Sequence, residues 1–473
     1  MPTTCPQLNT TTLKNFALHE NSWQFSPTPF VLSESQIQEL NLLGEALWGF
    51  AQALDTLYSE SAKGRQPGWI ADLLDQGKPE ALVQYARMKR FKQHLPMVIR
   101  PDLLITDASG SSDGWQLTEI DAVPGGIGFT SALNDLYTRS GFELLQAEPT
   151  MPQAFLDMLK ALTPDIKTPS IAIVVSDEAE DYRRELTWLA DHLKASYPDI
   201  AVIHPKQIEL VKDRLVYEDE SGQFKPIDII YRFFELFDLA NIPKMELIQY
   251  AIKKKLVVCT PPFKPHLEEK MAMALFHHPV LIPYWQQTLD STHYDLLSRV
   301  IPPTWVADPS PLPPQAIIPG LQLKGQALQA FSQLANCSQK ERELVLKPSG
   351  FSPLGWGSRG VTIGHDHSQE EWQERLNTAL ESFPKTPYIL QTFQNTSVLP
   401  MQRLNTTTGE SEPFKARVRL CPYYFVQNGK PRLSGILATA CPSNKKIIHG
   451  MTDAILAPVS IGINDGQDGS RGV

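Results

Sequence analysis

Residues 98–130 read VIRPDLLITDASGSSDGWQLTEIDAVPGGIGFT. Two apolar runs, VIRPDLLIT and WQLTEID, flank the polar loop DASGSSDG, whose Asp, Ser and Gly residues favour turns. Side chains two apart on a strand share a face, so Arg100 pairs in direction with Asp102, and Glu119 with Asp121. If Thr106 pairs with Trp115, Asp102 faces Glu119 and Arg100 faces Asp121. Opposed carboxylates repel. Either something positive lies between them, most simply a hard cation such as Mg²⁺, or the hairpin is solvated and its charges face water.

Upstream, SESQIQELNLLGEALWGFAQALDTLYSES has apolar residues every three to four positions, with Ser33 or Ser35 as N-cap, and reads as a long amphipathic helix. WIADLL and PEALVQYARMKRFKQHL read as further helix. Downstream, SIAIVVS, a helix through DEAEDYRRELTWLADHLKASYP, and DIAVIHP give a strand–helix–strand rhythm. That rhythm predicts a small parallel α/β lobe, and KMELIQYAIKKKLVVCTPP repeats it. The proline-rich IPPTWVADPSPLPPQAIIPG reads as a connector. GQALQAFSQLANC and HSQEEWQERLNTALESF read as helices. ELVLKPS, YILQTFQ, FKARVRLCPYYFV and RLSGILATACP read as strands, the last two joined by an NG turn.

A length of 473 residues suits about three domains or lobes. The net charge of −9 argues against wholesale nucleic-acid binding, so an anionic ligand needs local lysines and arginines. Five scattered cysteines without a CxxC argue against a disulfide framework or zinc site and for a reducing compartment. No apolar run is long enough to span a membrane, and MPTTCPQLNTTTLKNF lacks a signal-peptide pattern. A cytoplasmic protein that binds neither nucleic acid nor membrane is expected, with small-molecule partners and an oligomeric state the sequence does not specify.

The loop after ELVLKPS contains GWGSRG, a G-x-G-x-x-G formed by Gly355, Gly357 and Gly360. It leads into the strand-like VTIG rather than a helix, which argues against a dinucleotide fold. No GxxxxGK[ST] or protein-kinase catalytic element is present. A strand, glycine loop and strand carrying Lys347 suit a lid over polyphosphate, or else an ordinary surface hairpin. Lys270, in HLEEKMAMALFHHP, is a second cation, sharing a helical face with Ala274 and His277. Lys415, Arg417 and Arg419 alternate on one strand, which suits either an anionic substrate or a protected edge. His449 and Asp453 carry a weaker signal, and the pairs His277/His278 and His365/His367 read as structural.

In this order, R-x-D, E-x-D, a helix-borne lysine, VLKP with a glycine loop and a Y-x-x-Q strand resemble the permuted ATP-grasp ligases. The match is best at IRPDLL…LTEIDAVPGG, PPFKPHLEEKMAMAL, LVLKPSG and YILQTFQ. The chain is similar to the synthetase domain of glutathionylspermidine synthases and, more distantly, to eukaryotic glutathione synthetases. The resemblance implies an α/β (α+β) permuted ATP-grasp fold with an inserted small parallel α/β lobe. It divides the chain into a helical region plus the hairpin (1–165), the lobe (166–262), a nucleotide-binding region with a glycine-rich lid (263–465) and a flexible tail (466–473). It further implies Mg²⁺ on Asp102, Glu119 and Asp121, and ATP on Lys270, Lys347, Gly355, Gly357, Gly360 and Gln391. Arg100 would contact the acyl phosphate or γ-phosphate, and Arg417 and Arg419, from their shared strand face, are expected beside it as catalytic cations. The implied reaction joins a carboxylate to an amine through an acyl phosphate. A phosphotransferase or a non-catalytic ATP-binding scaffold are the alternatives. Asp121 stands where that family has Asn, no glutamate follows the lid lysine, and 77 positions separate Lys270 from Lys347.

Overall fold

The structure is a computed structural model. It describes residues 8, 16, 18, 24–107, 114–145, 147–219, 221–357, 359–405, 408, 410–448 and 454–462. The tip of the charged hairpin (108–113), His449, Asp453 and the tail 466–473 lie outside the described residues.

The largest sheet has eight strands. Its main path runs Gln24–Phe25, Ile455–Gly462, Lys430–Pro442, Ser411–Gln427, Val98–Ile105 and Trp115–Asp121. Phe30–Ser33 adds to Ile455–Gly462, and Leu399–Leu404 to Ser411–Gln427. The central hairpin turns at Asn428 and Gly429, both with positive φ (52° and 75°), as an NG turn requires. Along Ser411–Gln427, Leu420, Tyr424 and Val426 enter one core, while Cys421, Tyr423 and Phe425 enter another on the opposite face. The C-terminal half of this strand, 420–426, is therefore buried without a gap, because both its faces are covered there, whereas Lys415, Arg417 and Arg419 alternate with buried residues before it.

The first face carries the helix Glu34–Ser61 and the short helix Met271–His277. Ser33 caps the long helix in a reciprocal capping box with Gln36. The second face meets a four-stranded parallel sheet, ordered Val258–Thr260, Ile229–Phe233, Ile171–Val175 and Ile200–Ile203. Phe155 joins the two sheets, its ring 4.9 Å from Tyr231 and 5.7 Å from Phe425. A third, antiparallel sheet contains Thr304–Val306, Tyr388–Thr392, Leu344–Pro348 and Thr362–Ile363. The architecture is thus mixed α and β with several sheets, and no helix among the described residues is long and apolar enough to cross a membrane.

Some expectations fail locally. GQALQAFSQLANC is not an α-helix. Gln326–Ala327 pairs with Gln322–Leu323, and only the 3₁₀ turn Phe331–Asn336 follows. Glu80–Ala86 is helical, but the expected continuation gives way to a 3₁₀ turn at Lys89–Phe91. In both places tertiary contacts of Phe331 and Phe91 with separate cores override local helix preference.

Candidate functional site

The charged hairpin pairs Arg100 with Asp121 and Asp102 with Glu119, as the sequence predicts. Beyond Asp102 the register slips by one, so Trp115 pairs with Ile105 rather than Thr106. The cause is a bulge that takes up Thr118, whose hydroxyl donates to the Asp102 carbonyl at 3.1 Å.

Cations of the chain itself sit among the opposed carboxylates. Arg100 lies 3.2 Å from Asp102 and 3.0 Å from Asp121. Arg419 reaches the other Asp102 oxygen at 2.6 Å. Lys270, the residue just before the helix Met271–His277, lies 2.7 Å from Glu119. Burial alone would push the Asp102 carboxyl up, but the Arg100 and Arg419 guanidiniums outweigh it and hold Asp102 below the usual carboxylate range. Asp121 moves the other way. Burial and the neighbouring Glu119 and Asp102 charges raise it in spite of Arg100.

Lys347 arrives on Leu344–Pro348, donating to the Thr118 carbonyl at 2.9 Å and to Gln391 Oε1 at 2.8 Å. Burial, with the like charge of Lys270, lowers its ammonium to about 8 against the pull of Glu119 and Asp102. Gln391 is itself buried and donates to Thr304 Oγ1 at 3.0 Å, so here it orients Lys347. Gly355, Gly357 and Gly360 lie in the loop 349–361, whose flanking strands pair Val345 with Ile363 and Leu346 with Thr362. Lys270 donates to the Gly355 carbonyl at 3.1 Å, which brings the loop to the cluster.

Two expected site residues have partners that the sequence did not indicate. Arg417 does not reach the cluster. It donates to the Ser443 carbonyl at 2.8 Å and to Thr396 Oγ1 at 2.8 Å, tying two loops together. Both oxygens of Asp102, expected as a metal ligand, meet guanidiniums of the chain in this arrangement. Among the described residues no group of three or more His, Cys, Asp or Glu side chains is arranged to hold a metal ion. Glu119 and Asp121, with 38% and 28% of their side chains exposed, retain the hard oxygen donors a magnesium ion prefers.

Further residues surround the cluster. Trp356, in the glycine-rich loop, packs edge-on against Tyr182 of the parallel-sheet lobe at 5.9 Å, and Arg359 lies 3.5 Å from Glu178. Glu185 accepts from the Gly126 and Phe129 amides at 2.5 and 2.7 Å, fixing the PGG turn whose Gly125 carbonyl accepts from Arg100. Burial raises Glu185 to about 7. Glu268 pairs with the buried Arg232, and burial beside it raises Glu235. Of the acidic residues and Tyr182 here, only Glu268 lies in a segment with a visible signal, the charged EEK step before an apolar helix. Tyr182, Glu185 and Glu235 lie on ordinary-looking amphipathic segments.

No protein-family model matches the sequence. No curated protein matches it either. Among solved structures, the chain is similar to a glutathione synthetase-like effector from Globodera pallida in its apo form, with a TM-score of 0.53 and 12% identity over 96% of each chain. At that identity the likeness concerns the fold alone, which is glutathione synthetase-like along the whole length.

Proposed function

We propose that the chain is an ATP- and Mg²⁺-dependent carboxylate–amine ligase of permuted ATP-grasp type, akin to the synthetase domain of glutathionylspermidine synthases. The observation that carries this reading is the convergence of Lys270 and Lys347, from separate elements, on the charged hairpin beneath the glycine-rich loop. Four cations (Arg100, Arg419, Lys270 and Lys347) face three carboxylates there. The buried Nε of Arg419 has no hydrogen-bond acceptor among the described residues, so donor capacity remains for an anion.

In the proposed reaction an acid's carboxylate oxygen attacks the γ-phosphorus of ATP. The bond to ADP breaks, and an acyl phosphate forms. An amine nitrogen then attacks the acyl carbon, phosphate leaves and the nitrogen loses a proton. Lys270 and Lys347 bind the triphosphate, and Arg100, braced by Gly125, meets the transferred phosphoryl group. Glu119 and Asp121 would hold Mg²⁺, which neutralises charge on the phosphate oxygens when bound. The loop 349–361, resting on Tyr182, keeps water from the acyl phosphate. No side chain serves as covalent nucleophile.

One observation favours a second reading. Asp102, Glu119 and Asp121 are each already paired with a cation of the chain, a self-neutralised arrangement that suits a non-catalytic binding protein. ADP release from Mg-ATP with panels of acids and amines separates the two. The ligase reading requires ADP release that depends on both substrates and falls at least 100-fold in Glu119→Gln, on the scale of a lost ligand to a catalytic metal. ATP binding without turnover by any pair would establish the second reading.

A further inference from the structure

Three consecutive residues form a junction. Glu268 pairs with Arg232 of the parallel-sheet lobe, while Lys270 meets Glu119 and the lid carbonyl of Gly355. Between them, Glu269 turns the other way, into the protein. Its carboxylate lies 2.9 Å from Lys78 Nζ, and both side chains are fully buried. The same carboxylate accepts from Ser349 Oγ at 2.6 Å and from the Gly350 amide at 3.1 Å. Lys78 also lies over the Phe351 ring at 5.6 Å. At Gly350 a Cβ would overlap the Glu268 carbonyl oxygen, so the start of the lid lies directly on the Glu268–Glu269 backbone.

We infer that Glu269, held by Lys78, is a positioning residue that anchors the base of the glycine-rich lid and sets Lys270 in register with it. This rests on the proposed reading of Lys270 and the lid as the nucleotide-phosphate site. Every hydrogen bond of the Glu269 carboxylate to loop 349–361 falls on its first two residues. The strand Leu344–Pro348 ends at the residue before them, so they form its hinge. Among the described residues the loop beyond them is held by Phe351 packing on a core and under Lys78, by Lys270, and by the outer contacts of Trp356 and Arg359. A buried pair of this kind carries a large desolvation cost and is fully compensated only because Ser349 and Gly350 complete the carboxylate's shell. Losing the anchor therefore frees the lid base before it disturbs either main sheet.

The test uses the full chain and three variants, Glu269→Gln, Ser349→Ala and the charge-neutral double variant Glu269→Gln/Lys78→Met. Each is read by amide hydrogen exchange and by ATP titration in a calorimeter with Mg²⁺ present. The expected result is at least tenfold faster exchange confined to 349–361, unchanged protection in Ser411–Gln427 and Lys430–Pro442, and at least tenfold weaker ATP binding. In a turnover assay the KM for ATP rises while kcat changes less than threefold. Ser349→Ala and the double variant leave no unpaired buried charge, so they report even if Glu269→Gln fails to fold. Wild-type exchange in 349–361 for all folded variants overturns the inference. A wild-type chain that binds no ATP overturns the nucleotide reading, and the anchor then stands or falls on the exchange data alone.

Discussion

Lys347 places opposing demands on stability and binding. Its ammonium is buried and lowered to about 8, so the folded state holds that proton less firmly than the unfolded chain. Between about pH 8 and the ordinary lysine value the unfolded state binds more protons, and stability rises with pH through that window. The same rise in pH removes the charge that an anionic ligand needs. Lys347→Met is expected to stabilise the apo protein at pH 7, by up to about 3 kcal/mol, and to abolish that pH-dependent gain. It should also weaken ATP binding at least tenfold. Thermal melts from pH 7 to 10 together with calorimetry check both signs. Unchanged affinity would remove Lys347 from the proposed phosphate site.

Asp102 gives a pH dependence of the same sign in an acidic window, but there it is the charged form that the fold favours. Its depressed carboxyl contributes stability that is present above the ordinary aspartate value and is lost as pH falls through the lower folded value. Arg419→Ala leaves Asp102 with Arg100 alone and is expected to cost about 3–5 kcal/mol, the scale of breaking a buried pair. Arg417→Ala removes bonds to Ser443 and Thr396 instead and should cost about 1–3 kcal/mol while leaving ATP affinity unchanged. Urea titrations and calorimetry of both variants test the division. Alternation in the sequence placed both arginines on one face. Only the partner loops decide that Arg417 serves 395–396 and 443 while Arg419 serves Asp102.

At the scale of elements, legibility followed periodicity. The long helix and its Ser33 cap, the facing pairs of the charged hairpin and the NG turn all rest on short-range chemistry that the residues state directly. Gly429→Ala, at φ 75°, is expected to cost about 1–2 kcal/mol, the left-handed penalty of a β-carbon. A midpoint shift in urea with an unchanged slope checks that figure, and no shift would show that the turn tolerates a side chain. The bulge at Asp102/Leu103 was not legible, because it answers to the Thr118 hydroxyl and the neighbouring strand rather than to local pattern. The same holds for Phe331–Asn336, whose apolar residues satisfy a core without completing an α-helix.

At the scale of the molecule, the large sheet is buried between a helical layer and the parallel-sheet lobe. Phe155 is fully buried where lobe and sheet meet. Phe155→Ala is expected to cost about 3–5 kcal/mol, as for other large-to-small core changes. It should also split urea unfolding into two transitions, with amide exchange in Ile171–Val175 rising before that in Ser411–Gln427. A single coincident transition would mean that other contacts are enough to couple the two layers.

By itself the sequence determined the long helix, most of the strands around the charged hairpin and the NG turn, the parallel lobe, the facing charges at 100–121 and the two lysines, because hydrophobic period and turn chemistry act over a few residues. Only the tertiary structure decided what those charges do. Arg419 lies 317 positions from Asp102 and Lys347 lies 229 from Thr118, and no local pattern carries such pairings. They arise from strand order and from packing on both faces of the sheet. Packing that excludes water makes a buried carboxylate costly without a cation, so the cations the chain brought there complete the site.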